Sequence, residues 1–85
     1  MPKSTFTDAY QDMLALLLAA RHAAGVTQVE LSDRLGKPQS WVSNVERGNR
    51  RLDIIEFCAV ARAIGADPAA LFTALMAKLP KKLVI

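Results

Sequence analysis

Eighty-five residues, 52% of them hydrophobic and 22% charged, fit one small domain that buries roughly 60% of its unfolded surface and gains from a partner subunit. The single cysteine, Cys58, excludes an internal disulfide, and one histidine leaves no ligand set for a metal. No apolar run approaches the roughly 20 residues of a membrane span, and no basic signal start precedes one, so the expected setting is cytoplasmic.

The chain divides into five predicted helices, with no stretch of strand-like alternation. The first starts near Asp8, where Asp8 and Gln11 have capping-box spacing, and stops before Gly25. Tyr10, Met13, Leu14, Leu17 and Leu18 give it one apolar stripe, and His22 near its end complements the helix dipole. Thr27 and Glu30 repeat the box for a second helix, which turns Leu31 and Leu35 inward and stops at Gly36. The third opens at Pro38 or Gln39, where the fixed φ of proline suits a first turn, and ends at Gly48. Asp53 with Glu56 caps the fourth, which runs to Gly65 with Ile54, Phe57, Ala61 and Ile64 inward and Cys58 as core filler. Asp67 and Pro68 start the fifth, and Pro80 stops it. The expected fold is all-α, a single domain over residues 1–80 followed by a short tail over 81–85.

The third helix carries the chemistry. At about 100° per residue, Val42, Val45 and Glu46 share one side, while Ser40, Asn44 and Arg47 face the other and Trp41 and Ser43 flank them. Gln39 projects from the helix end. Such side chains match base edges: Gln and Asn bond bidentately to adenine, serine serves several bases, and arginine reads guanine or phosphate. An ordinary solvated face is the alternative that this helix alone leaves open. Lys37, Arg47, Arg50 and Arg51 stand against Glu46 alone, so this window holds an excess equal to the +3 of the whole chain. Clustered charge of that kind favours a polyanion, or else is merely a solvated surface.

Arg21 continues the stripe of Leu14, Leu17 and Leu18 and so faces the core edge, where an unpaired guanidinium is costly. Glu46 has the mirror-image problem. An Arg21–Glu46 ion pair solves both and ties the first helix to the third.

The segments AGVTQVELSDRLGK, SWVSNVERG and RRLDIIEFCAVARAIGADP together resemble the Cro and phage-repressor type of helix-turn-helix domain, the xenobiotic-response-element (XRE) family of regulators. The resemblance spans Leu14 to Leu71. It implies a five-helix fold of the lambda-repressor kind, a dimer on double-stranded DNA, and control of transcription. By position it implies that Gln28 touches phosphate and buttresses Gln39, that Gln39, Ser40, Ser43 and Asn44 face bases, and that Lys37, Arg47, Arg50 and Arg51 line the backbone. The family also commonly pairs a first-helix arginine with the glutamate near the end of the third helix. Two departures stand out: Lys37 occupies a place that is often apolar, so it is expected to turn outward, and Pro38 replaces the usual Ser or Thr cap. Trp41 either packs its ring on the second helix, touches sugar or a thymine methyl, or does neither.

The fifth helix carries more apolar width than one supporting face needs. Phe72, Leu75, Met76 and Leu79, with Leu83, Val84 and Ile85 of the tail, are expected at a homodimer interface; the alternative is that they finish the monomer's own core. A membrane-surface role for Lys78, Lys81 and Lys82 is disfavoured by the proline break. With no nucleophile–base pair or metal cluster, no enzymatic activity, cofactor or small-molecule ligand is expected, nor a ligand domain. The expected function is a repressor on an inverted-repeat operator. Its rivals are an antitoxin, a restriction-system controller, and a protein-interaction module that has kept the fold without DNA binding.

Overall fold

The computed structural model describes residues 7–85, which form five helices in the expected order. α1 (Asp8–Ala23) is capped by Thr7, whose hydroxyl accepts from the Tyr10 amide at 3.2 Å. The expected Asp8–Gln11 box is thus displaced by one residue. Thr7 takes the extended cap position, and Asp8 becomes the first helical residue, where its charge meets the positive helix end. α2 (Gln28–Leu35) and α4 (Ile54–Ile64) open with the reciprocal boxes read from the sequence, Thr27 with Glu30 and Asp53 with Glu56. α3 (Gln39–Glu46) follows Pro38, which supplies no side-chain cap, and α5 (Pro68–Lys78) begins with proline behind the Asp67 cap.

The turn between α2 and α3 requires glycine. Gly36 has φ +67°, a conformation that strains any Cβ even though nothing crowds the position. Its amide and that of Lys37 close back on the carbonyls of Asp33 and Ser32 at 3.2 and 3.0 Å, which ends α2 and sends the chain off in a new direction.

Tyr10, Leu14 and Leu17 of α1 meet Leu31 of α2, Val42 and Val45 of α3, and Phe57, Val60 and Ile64 of α4 in one core. Leu31 and Val42 are the largest of the fully enclosed side chains, each contributing about 1.5–3 kcal/mol of burial. α4 touches α1, α2 and α5, whereas α3 packs chiefly on α2, so α3 is carried at the edge of the bundle with one side open. The Tyr10 hydroxyl accepts from the buried Leu52 amide at 2.8 Å, fastening the start of α1 to the loop before α4. Among the described residues, no helix is long and apolar enough to cross a membrane.

Two expectations about facing need correction. Ile54, placed inward by its spacing to Phe57, is 67% exposed. The buried stripe of α4 centres on Phe57, Val60, Ala61 and Ile64, and Ile54 lies about 70° off that centre in the first turn. Leu75, expected at an interface, is only 8% exposed in the monomer and belongs to its own core. Leu71 and Leu79 are half-buried beside it, while Phe72 and Met76, on the outer edge of the same stripe, are 46% and 58% exposed. The tail folds back so that Leu83, Val84 and Ile85 line a shallow opening of about 170 Å³ with Tyr10, Met13 and Leu79, yet all three remain exposed. Cys58 packs half-buried against the core.

Candidate nucleic-acid interface

The open side of α3 is held by a chain of polar contacts that starts in α1. Arg21 Nε and Nη2 donate to Glu46 Oε2 and Oε1 at 2.7 and 3.0 Å, a bidentate pair at the buried root of α3. Arg21 Nη1 donates to the Val26 carbonyl at 2.9 Å, and Nη2 lies 3.4 Å from His22 Nε2. The sequence-predicted pair is therefore present, and it also ties in the loop between α1 and α2. Glu46 Oε1 takes a further hydrogen bond from Gln28 Nε2 at 2.8 Å, and Gln28 Oε1 accepts from Gln39 Nε2 at 3.4 Å. An ionised carboxylate can only accept, so Glu46 fixes which way the Gln28 amide points. Gln28 must then offer its oxygen to Gln39, and Gln39 must offer its nitrogen in return. The orientation passes from a half-buried carboxylate to an exposed amide in two steps.

Ser40 and Gln39 are exposed at the start of α3, and Ser43 and Asn44 are half-buried along its open side. Asn44 Oδ1 accepts from Arg47 Nη2 at 2.9 Å, leaving the Asn44 amide nitrogen as its outward-facing group. The Asn44 carbonyl accepts from the amides of Asn49 and Arg50 at 2.8 and 3.2 Å, which closes α3 and anchors the following loop. Pro38 brings no side-chain cap, and this end is closed by the Trp41 amide bonded to the Pro38 carbonyl at 3.0 Å. The remaining first-turn amides of α3 leave the positive helix end at its N-terminus, beside the exposed Gln39 and Ser40.

The cations of the charged window do not form one row. Lys37 is exposed as expected, with Nζ 5.9 Å from the Trp41 ring centroid, and Arg47 is exposed at the end of α3. The Trp41 ring packs partly against the core, and the Arg50 guanidinium lies 5.0 Å from its centroid. Arg50 also pairs with Glu56 at 3.0 Å. Arg51 points elsewhere: its guanidinium is 5.2 Å from the Tyr10 ring, and it lines the opening shared by α1, α5 and the tail. Gln28, Lys37, Gln39, Ser40, Trp41, Ser43, Asn44, Arg47 and Arg50 thus gather around α3, and Arg51 does not join them.

Sequence reasoning missed Glu56 as a member of this region. Its spacing from Arg50 crosses a loop and obeys no helical rule; the one available signal was the Asp53–Glu56 box, which places Glu56 beside that loop. Arg34, whose Nη1 donates to the Ala63 carbonyl at 2.8 Å, was likewise invisible, because that carbonyl is a last-turn orphan of α4 rather than a side chain. Two carboxyls are held below the ordinary glutamate range: Glu30 by the Thr27 amide and hydroxyl, and Glu56 by the Arg50 guanidinium and then the Asp53 amide.

Comparison with known proteins agrees with this geometry. A family model described as a helix-turn-helix domain matches residues 12–73, from the first turns of α1 into α5. Among solved structures, the chain is similar to an XRE-family like protein from Pseudomonas syringae pv. tomato str. DC3000, with 57% identity and a TM-score of 0.81 over 85% of this chain and 88% of that one. No curated protein matches the chain.

Proposed function

This chain belongs to the XRE-type helix-turn-helix family of DNA-binding regulators, and within that family we propose a repressor that binds an inverted-repeat operator as a homodimer. The observation that carries base reading is the contact chain from Glu46 through Gln28 to Gln39. With one N–H given to Gln28, Gln39 keeps its carbonyl oxygen and a second N–H for a ligand. That donor and acceptor side by side match N7 and N6 of adenine in the major groove. Ser40, Ser43 and the Asn44 amide nitrogen supply further base contacts along the open side, and Lys37 and Arg47 meet phosphate. Repression follows from occupancy of a promoter by a protein of this size.

The homodimer rests on the outer edge of α5. Phe72 and Met76 stay exposed after the monomer core is complete, and Ile54 and Ile55 of α4 add to the apolar surface. A symmetric pairing through Phe72, Met76, Leu79 and the tail residues Leu83, Val84 and Ile85 covers this surface and supplies the two-fold axis that an inverted repeat requires. Selection of bound duplexes from a random pool tests both claims together. The expected product is a palindromic motif with an adenine at a fixed place in each half; enrichment of no motif at all removes the reading. Sedimentation at micromolar concentration tests the dimer separately, and a clean 9.3 kDa species overturns it.

A further inference from the structure

In the folded chain the Arg50 guanidinium already has an anion. Its Nη2 lies 3.0 Å from Glu56 Oε2, its Nη1 donates to the Arg51 carbonyl at 3.2 Å, and its central carbon lies over the Trp41 ring, 5.0 Å from the centroid. The other oxygen of the same carboxylate, Oε1, accepts from the Asp53 amide at 2.9 Å as half of the α4 capping box. Glu56 therefore divides its two oxygens between two tasks, one closing a helix and one holding a cation at the edge of the DNA-binding side. The pair is open to solvent, with the Arg50 and Glu56 side chains 41% and 26% exposed, so a phosphate can reach Arg50 and compete for it.

The negative charge is more than the cap requires. A capping box works with a neutral acceptor at this position, and glutamine fills it as glutamate does. An exposed ion pair contributes little to folding. The charge instead opposes the one reaction that Arg50 is placed to assist.

We infer that Glu56 is a negative determinant of DNA affinity: it holds Arg50 in an intrachain ion pair and withholds one cation per subunit from the phosphate backbone. The inference rests on the DNA-binding reading above. Because phosphate contacts carry no sequence information, withholding one weakens binding to all duplexes alike and leaves discrimination to the base contacts of α3.

Glu56→Gln keeps the cap and removes the charge. Binding of the full chain to a short mixed-sequence duplex, followed by fluorescence anisotropy over a range of salt, reads the number of phosphates neutralised. The expected result is a slope of log K against log salt that is steeper by about 0.9 per subunit, so that a fourfold drop in salt widens the variant's advantage by about 3.5-fold per subunit. Glu56→Ala, equally neutral, must show the same steepening. Combining Glu56→Gln with Arg50→Gln must remove it. Asp8→Asn, which raises the net charge equally but lies beside the tail, must not reproduce it. An unchanged slope in both neutral variants of Glu56, each folded by circular dichroism, overturns the inference and leaves the DNA-binding reading standing. Wild-type protein with no salt-sensitive binding to any duplex overturns that reading instead.

Discussion

Arg21 of α1 grips both carboxylate oxygens of Glu46 in α3, at 2.7 and 3.0 Å, where the two side chains are only 9% and 16% exposed. Removing one partner of such a pair leaves the other charged and poorly solvated. Arg21→Ala is expected to lower stability by about 3 kcal/mol, the lower end of the range for a buried pair because Glu46 keeps Gln28 and some water. Urea denaturation measures this, and a loss under about 1 kcal/mol would mean that the pair behaves as a surface contact.

Gln28 links the structural end of the contact chain at Glu46 to the exposed end at Gln39, where base reading is proposed. Gln28→Ala removes one half-exposed hydrogen bond from Glu46, for about 1 kcal/mol of stability. Its larger effect falls on Gln39, whose amide loses its orienting partner. Discrimination at the base pair that Gln39 is proposed to read is expected to relax by about 1 kcal/mol in competition with single-base-substituted duplexes. An equal loss on every duplex would instead identify Gln28 as a phosphate contact alone.

Tyr10→Phe isolates a link far from α3. It leaves the buried Leu52 amide without its acceptor, which costs about 1–3 kcal/mol. Thermal melting is expected to report that loss, while duplex affinity measured well below the melting point stays unchanged.

Acid weakens the caps of α2 and α4. The Glu30 and Glu56 carboxyls titrate below the ordinary glutamate range in the folded chain, so folding favours their ionised forms. A depressed carboxyl contributes stability that is complete above its unfolded value and is lost as pH falls through the folded one. Denaturation midpoints are expected to hold from neutrality down to about pH 5 and then to decline as the solution drops through and below about pH 4.3. Glu56→Gln flattens the decline, and an acid profile identical to wild type would show that the Arg50 contact does not persist in solution.

Much of this was readable beforehand because the informative signals are local. Thr27 with Glu30 and Asp53 with Glu56 satisfy amides only three residues away, and Gly36 and Gly65 stop helices by adopting φ values that other residues avoid. Arg21–Glu46 is long-range yet was deducible, since each residue had a charge on a buried stripe and needed the other. What escaped depended on competition or on loops. Asp8 lost the α1 cap to the threonine beside it, a choice between two good candidates that spacing does not rank. Ile54 satisfied a spacing rule but sat at the margin of its stripe. The Arg50–Glu56 pair hangs on the path of the loop between α3 and α4, which the sequence pattern of neither helix describes.

Ser40 and Ser43 sit on the open side of α3, and their hydroxyls make no hydrogen bond within the described chain. The helix is secured from its other side by Val42, Val45 and Glu46, from its flank by Trp41, and at its ends. If these two serines face bases as proposed, their exchange is expected to change what the protein prefers to bind without disturbing how it is held together. On that reading the fold is a fixed handle with two replaceable teeth, and new target sequences are expected from single substitutions that need no compensating change elsewhere.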